Sequence, residues 1–410
     1  MRAEKLSKRQ PQPQQRHADD NEDTITVAPY SKVYAIKVDP DPRSPRSFKK
    51  AINGQDKLEW MGATKEEYES LIANKVFILV ARPTEDIVLS GRWIFKIKRA
   101  PDGSIARYKA RWVVRGFEQE DYDQTFASTV RMTVVRWLLA YTCIKKKKLR
   151  QIDFITAFPN SVMTGEKVYV EQVQGYEQDK ARLVCLLLKA LYGLKEAPML
   201  WEKTLRAYMI KMGFTPSPAD PCLYYLNDII IAVFVDDMLA CGDDMSALDN
   251  VVALLSKEFK IKDLGYPTHF LGIIITYHED DKTLYLSQEH YLRTVLTRFD
   301  MENVKTKAVQ MDPNDKLQKY NGEAKKKHKV SYASAVGAII WAAVSTRPDI
   351  AYATSKLARY STNPGPQHFA ALTWLFGYIR KTVDYPIWRQ MVSPPNFLVK
   401  VRHYGRLLGS

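Results

Sequence analysis

Cysteine is scarce in this chain. Cys143, Cys185, Cys222 and Cys241 are the four in 410 residues. None stands in a CxxC or Cys/His spacing, so there is no zinc-ligand signature and no disulfide framework. A reducing compartment suits such usage. Long apolar runs are also missing. None exceeds seven residues, far too short to span a bilayer, and one of the longest, residues 229–235, ends in two aspartates. The N-terminus is polar and lacks the apolar core of a signal peptide. A secreted or membrane protein is therefore not expected. No internal repeat is present, and acidic charge is in the minority. Lys and Arg number 61 against 46 Asp and Glu, a formal net charge of +15. An excess of that size favours a polyanionic partner, nucleic acid before membrane.

What is there divides along the chain. Residues 1–55 read as linker, with a Pro/Gln tract at 10–15 and a charged, Pro-rich stretch at 39–45 that cannot bury enough surface to order itself. Lys57–Ala73 has helical spacing, with Trp60, Met61, Tyr68, Leu71 and Ile72 as the expected buried stripe. Gly91–Arg99 alternates Trp93, Phe95 and Ile97 against Ile94, Lys96 and Lys98. After turn chemistry at residues 100–103, Ile105–Val114 alternates Tyr108, Ala110 and Trp112 against Lys109, Arg111 and Val113. The pair reads as a hairpin with one strongly basic face. Residues 134–144 look helical and run into four lysines, 145–148. Cations there offset the helix dipole, and the competing reading is a nuclear localisation signal. Residues 150–158 read as a short strand ending in a turn, 189–212 as a helix after a start at Gly193, and 229–240 as two strands broken at Asp236-Asp237. Helical patterns recur at 247–259, 288–299 and 332–357, and 269–286 is hairpin-like. Strands and helices without regular alternation point to an α+β fold.

Three aspartates stand out. Asp236 and Asp237 end a near-continuous apolar strand, IIIAVFV, of the kind buried on both faces. Two carboxylates there are costly unless they meet water, a partner or a cation. Side chains alternate along a strand, so the two share an orientation only if the chain turns, as at a hairpin tip. Asp153 lies in a second hydrophobic strand, QIDFITAF. Converging carboxylates from two neighbouring strands are what paired Mg²⁺ ions need to activate an attacking 3′-oxygen and stabilise a leaving phosphate. An Asp-Asp pair alone is more often a turn or a helix cap.

The strings GRWIFKIKRAPDGSIARYKARWVVRGFEQ, DYDQTFAS, QIDFITAF, KALYGLKEAP, FVDDMLACG, KDLGYPTHFLGI and STRPDIAYATS occur in that order. Over roughly residues 60–385 the chain resembles the reverse transcriptase of copia-type LTR retrotransposons, a Pol polyprotein segment. The resemblance implies a right-hand polymerase of fingers, palm and thumb, with an antiparallel palm sheet and a disordered N-terminal linker. A reverse transcriptase domain with its connection would cover residues 56–385. By motif, Asp153 and Asp236 become the main metal ligands and Asp237 the accessory one. Phe158 matches the steric gate against a ribose 2′-OH, with plain core packing as the competing reading. Tyr192 and Gly193 match the nucleotide-pocket turn. Lys109 matches the fingers contact to the incoming triphosphate and Lys96 or Lys98 a second contact, against the bland alternative of a solvated strand face. Phe270, Leu271 and Gly272 match the segment that grips the primer end.

The pattern has departures. Glu120 leads directly into Asp121 where the family carries a short spacer. The turn after the first aspartate reads Phe158-Pro159-Asn160-Ser161, with Pro159 fixing φ and Ser161 in place of glycine, so strain is expected there. Glu196 and Met199 replace the usual Gln or Ser and a basic residue. After Tyr385 the chain runs into an unfamiliar tail, 386–410, without the carboxylates of an RNase H domain. The resemblance implies an RNA-directed DNA polymerase using Mg²⁺ or Mn²⁺, with RNA template, DNA primer-template and dNTPs as partners beside other parts of a Gag-Pol polyprotein. It also implies a cytoplasmic, virus-like-particle setting with access to the nucleus. The alternative is a decayed copy that binds nucleic acid and does no chemistry.

Overall fold

The first described block packs two helices, α1 (Phe48–Asn53) and α2 (Lys57–Ala73), against strands β1 (Phe77–Ala81), β2 (Val88–Leu89), β3 (Gly91–Arg99) and β4 (Ile105–Val114). The computed structural model describes residues 41, 43–99, 104–119, 125–179, 182–278, 283–314, 316–390 and 399–401. Residues 1–40 of the expected linker, the hairpin turn at 100–103 and the Glu120-Asp121 junction lie outside them. Residues 43–55 of the expected linker are structured. Ser47 Oγ caps α1, Ala51 is fully buried, and Asp41 and Arg43 pair with Arg99 and Asp56. Aromatic surface on the facing hairpin gives this short segment something to bury, since Phe48 stacks on Trp93. The hairpin forms as the alternation predicts, with Trp93, Phe95, Ile97, Ala110 and Trp112 buried beneath α2. In α2, Trp60 and Leu71 are buried as expected, but Met61 and Ile72 are 52% and 48% exposed. Ala63 and Thr64 take the inner face instead.

Helix α3 (Met132–Lys145) precedes β5 (Lys148–Phe154), β6 (Tyr169–Val170), β7 (Leu183–Leu187) and helix α4 (Ala197–Lys211). β1, β7, β6 and β2 make a small sheet that the periodicity does not announce. Strand β5 ends at Phe154, and the turn expected after it comes as a 3-10 turn, Phe158–Asn160. The expected helix at 189–212 begins only at Ala197, because the chain must first make the tight turn at Gly193. Then come β8 (Thr215–Pro216), β9 (Leu223–Leu226), β10 (Ile229–Phe234), β11 (Asp237–Gly242), α5 (Met245–Glu258) and β12 (Ile261–Gly265).

The central sheet, the expected palm, runs β12-β5-β11-β10-β9-β8, and every pairing in it is antiparallel. Helices cover both faces, which is why β10 reads as continuous apolar sequence. Ile152, Ile231, Val233 and Met238 pack on α4 and α5, whereas Leu149, Ala232, Leu239 and Cys241 pack on the α3 side.

A second antiparallel sheet follows, β13 (His269–Phe270), β14 (Ile273–His278) and β15 (Thr283–Ser287). Beyond it α6 (Glu289–Arg298), α7 (Lys326–Ser345), α8 (Ala351–Ala358) and α9 (Pro366–Lys381) form a helical block with its own core. The single helical stretch expected at 332–357 is interrupted by Thr346, Arg347 and the 3-10 turn Pro348–Ile350, where Pro348 cannot continue α7. Two described pieces of the tail, β16 (Ile387–Gln390) and β17 (Val399–Val401), extend the second sheet beyond β15. No helix among the described residues is long and apolar enough to cross a membrane.

Candidate active site

Phe234 pairs with Asp237, so Val235 and Asp236 form a two-residue turn between β10 and β11. Val235 sits at φ 55°, a region a β-branched residue avoids, at a cost on the order of 1–3 kcal/mol. Two hydrogen bonds hold the turn. Trp201 Nε1–H donates to the Val235 carbonyl at 2.7 Å, and the Phe154 amide donates to the Asp236 carbonyl at 2.8 Å. Asp153 is the register partner of Asp237 on one side and of Lys262 on the other. The three aspartates thus meet at one end of the central sheet. Thr156, at φ 56°, is a second β-branched residue in the left-handed region, just after β5. The strain expected at Pro159 is not there. Pro159 is buried at the start of a 3-10 turn, where its fixed φ is suitable, and Ser161 has an extended φ that needs no glycine.

The carboxylates share a partly buried patch and repel one another. Burial, and then the charge of Asp236, raise the proton affinity of Asp153; Lys109, Lys98 and Lys262 oppose them. Asp237 is pushed up to about 6, first by burial and then by Asp236 and Asp153, against a hydrogen bond with Gln151. Among the described residues, no three acidic, His or Cys side chains converge closely enough to form a ready-made metal cage. The donor set is nonetheless all carboxylate oxygen, the chemistry that hard divalent cations take.

A test of this electrostatic strain is Asp237→Asn. A carboxyl raised from 3.8 to about 6 by folding is charged in the unfolded chain above pH 4 but in the folded one only above pH 6. It therefore costs stability increasingly as pH rises through that window. The substitution should raise stability by up to about 3 kcal/mol at pH 8 and by almost nothing near pH 3. Thermal unfolding at the two pH values measures this, and an equal gain at both would show that the charge is not the cause.

The basic hairpin faces this cluster. Lys96 lies opposite Lys109, and Lys98 opposite Arg107. Lys96 and Lys98 are exposed, whereas Lys109 is half-buried. Burial holds the Lys109 ammonium below its usual range, Arg111, Lys98 and Arg107 add repulsion, and Glu67 opposes them. Glu67 accepts from the Trp112 amide, and burial raises its proton affinity. The Tyr192 ring meets the Phe158 ring edge-on at 4.9 Å and carries the Arg111 guanidinium 4.5 Å from its centroid. Burial pushes the Tyr192 hydroxyl up to about 12. Gly193, at φ +97°, seats this turn on the end of β4: a Cβ there would lie 2.0 Å from the Val114 carbonyl. Phe158 is only partly buried and touches both the first-block core and the central-sheet core.

Phe270, Leu271 and Gly272 lie on the second sheet. Phe270 pairs with Ile273, leaving Leu271 (φ 49°) and Gly272 (φ 75°) as a two-residue turn with both φ positive, the type I′ pattern. Phe270 is 1% exposed and packs toward α3, so only the tip of this turn is offered outward. Sequence reasoning missed Gln151, Lys262, Arg111 and Glu67. Gln151 had a signal, since it stands two residues before Asp153 and strand alternation places both on one face. Lys262 had none, because its register with Asp153 is set by a distant pairing.

A carboxylate cluster on a helix-covered antiparallel sheet, facing a basic hairpin and a glycine-seated pocket turn, defines a polymerase-like layout. A family model described as "Reverse transcriptase (RNA-dependent DNA polymerase)" matches residues 74–313, more than half of the chain, and the chain belongs to that family. All the site residues above except Glu67 lie within the matched span. The chain is 38% identical over 356 residues to the "Retrovirus-related Pol polyprotein from transposon TNT 1-94" of Nicotiana tabacum, covering 83% of this chain and 27% of that protein. It is 34% identical over 368 residues to the "Retrovirus-related Pol polyprotein from transposon RE1" of Arabidopsis thaliana, covering 88% and 24%. The chain thus spans about a quarter of the length of these copia-type relatives. Among solved structures, a foamy viral protease-reverse transcriptase in complex with double-stranded DNA matches at a TM-score of 0.40 and 13% identity, over 84% of this chain and 56% of that one. A likeness that weak adds nothing to the assignment.

Proposed function

We propose that this chain carries out template-directed DNA synthesis, adding dNTPs to a DNA primer on an RNA or DNA template within a copia-type Pol polyprotein. The observation that carries this reading is the register that sets Asp153 beside Asp237 and the Asp236 turn, within the electrostatic reach of Lys109 and Lys98. Asp153 and Asp236 would hold divalent ions, Mg²⁺ or Mn²⁺, with Asp237 as accessory. Their mutual repulsion and all-oxygen donor set fit such ions. Ions held by these carboxylates would supply activation of a 3′-oxygen and stabilisation of a leaving phosphate. Gln151 orients Asp237 by hydrogen bonding. Lys109, with Lys96 or Lys98, would bind the triphosphate, for which an ammonium is a natural partner. Tyr192, steadied by Arg111, and Gly193 would wall the nucleotide pocket. Phe158 would crowd a ribose 2′-OH, and the Phe270–Gly272 turn would seat the primer end.

Primer extension on a homopolymer RNA template, with Mg²⁺ and then Mn²⁺, tests the reading. DNA synthesis is expected, together with primer-template affinity that falls steeply with salt, since phosphate contacts release counterions, and that shows little sequence preference. Salt-dependent binding with no extension in either metal is the result that favours the alternative, a copy that binds nucleic acid and does no chemistry.

A further inference from the structure

The 3-10 turn Gly116–Glu118 follows β4 at the edge of the pocket wall. Gly116 is so close to the pocket turn that a Cβ on it would lie 2.1 Å from the Gly193 carbonyl. The turn is fastened on both sides. Glu118 accepts from the Ser90 amide at 2.7 Å and the Ser90 hydroxyl at 2.6 Å, and the Arg115 amide donates to the Ser90 carbonyl at 2.9 Å. Gln119 donates to Glu196 Oε2 at 2.9 Å and accepts from the Lys195 amide at 2.8 Å. Between these anchors Phe117 holds its ring outward, 64% exposed. Across the residues outside the described set, Phe126 is 63% exposed, two residues before Ser128, whose amide is tied to Glu202 of α4.

A rigid turn that displays a large ring to water gains nothing for the fold. Its surroundings say what the ring is for. Arg115 and Arg131 are exposed beside these segments, each with a guanidinium nitrogen 4.0 Å from a carboxylate, Glu118 and Asp220, that is itself held by Ser90 or by the Arg131 and Cys222 amides. Exposed aromatics flanked by exposed guanidiniums suit an unpaired nucleobase on the ring face and its phosphate on the cation. We infer that Phe117, with Phe126 as a second platform, stacks on bases of a single-stranded template as it approaches the pocket. The inference rests on the polymerase reading for the identity of the strand.

The test is a binding measurement made without nucleotide or metal. Fluorescence anisotropy compares a labelled primer duplex bearing a 5′ single-stranded RNA overhang with the same duplex made blunt. Phe117→Ala should bind the overhang duplex about tenfold more weakly, with blunt-duplex affinity and thermal unfolding unchanged, because the ring is outside the core. Phe117→Trp should keep wild-type affinity, and Phe117→Leu, apolar but not aromatic, should behave like alanine. Equal loss on both duplexes, no loss, a fully competent leucine variant, or a wild-type protein with no preference for the overhang would each overturn the inference. Primer extension by the wild-type protein, measured beside the binding, keeps the two readings apart, since a Phe117→Ala loss confined to the overhang duplex stands whether or not the protein extends primers.

Discussion

Asp236→Asn is expected to lower primer extension by at least about a thousandfold, the effect of losing a charge proposed to hold divalent metal and worth several kcal/mol. The substitution is nearly isosteric, and the structural duties of the residue belong to its backbone. The Asp236 carbonyl would still accept from the Phe154 amide, and Trp201 would still hold the Val235 carbonyl. The hairpin should therefore survive, with primer-template affinity changed less than about twofold, because the basic side chains proposed to contact phosphate lie on β3 and β4 rather than on this turn. One further consequence follows from the repulsion within the cluster. Asp236 raises the proton affinity of both Asp153 and Asp237, so its neutralisation should let both ionise at lower pH. Extension at an undiminished rate would mean that the reacting centre lies elsewhere in the chain.

Gly193→Ala is the second large effect. At φ +97° any side chain is strained, by about 1–2 kcal/mol in the left-handed region. Here the new Cβ would also meet the Val114 carbonyl at 2.0 Å and Val113 Cγ1 at 2.7 Å. The backbone cannot easily give way, because the Val114 amide donates to the Tyr192 carbonyl at 2.8 Å. Together with the usual cost of overpacking, the loss of stability should reach ~3 kcal/mol or more. Because the Tyr192 ring contacts both Phe158 and Arg111, extension should fall with it. Gly213→Ala is the control. Gly213 has nearly the same φ, +92°, but a Cβ there meets only Leu226 side-chain carbon at 3.7 Å. Denaturant unfolding of the two variants separates dihedral strain from collision. If Gly193→Ala is as mild as Gly213→Ala, the pocket turn is not seated as described.

Local pattern revealed the hairpin of β3 and β4, the helix α2 to its ends, and the strand-turn-strand around Asp236, because in each the residue period is set by neighbours in sequence. It failed where distant chain decides. β1 and β7 are short apolar runs that become strands only by pairing with each other, Phe77 with Leu187 through Ala81 with Leu183. Helix α4 starts late because Gly193 must first seat against β4. Met61 and Ile72 fit an apolar stripe yet face outward, since the hairpin covers only the flank bearing Trp60 and Leu71. At the site, Asp153, Asp236 and Asp237 stood out as charges where apolar strands should continue, and the motifs gave Lys109, Tyr192 and Gly193. Arg111 was visible only as one more cation on a basic face, and its place over the Tyr192 ring depends on how the hairpin docks.

The order of strands in the central sheet also governs when this site can come into being. β5 lies between β11 and β12, and Phe154 waits for Ile261, about a hundred residues later in the chain. At usual translation speeds of about 5–20 residues per second, β5 spends roughly 5–20 seconds on the ribosome without the strands that flank it. During that interval it is an unpaired edge on both sides, of the kind that invites mispairing. Loops of such length close slowly. A nascent chain halted before residue 237 should thus hold Asp153 in an unassembled strand, and resistance to protease across the sheet should appear only after residue 265 has cleared the exit tunnel.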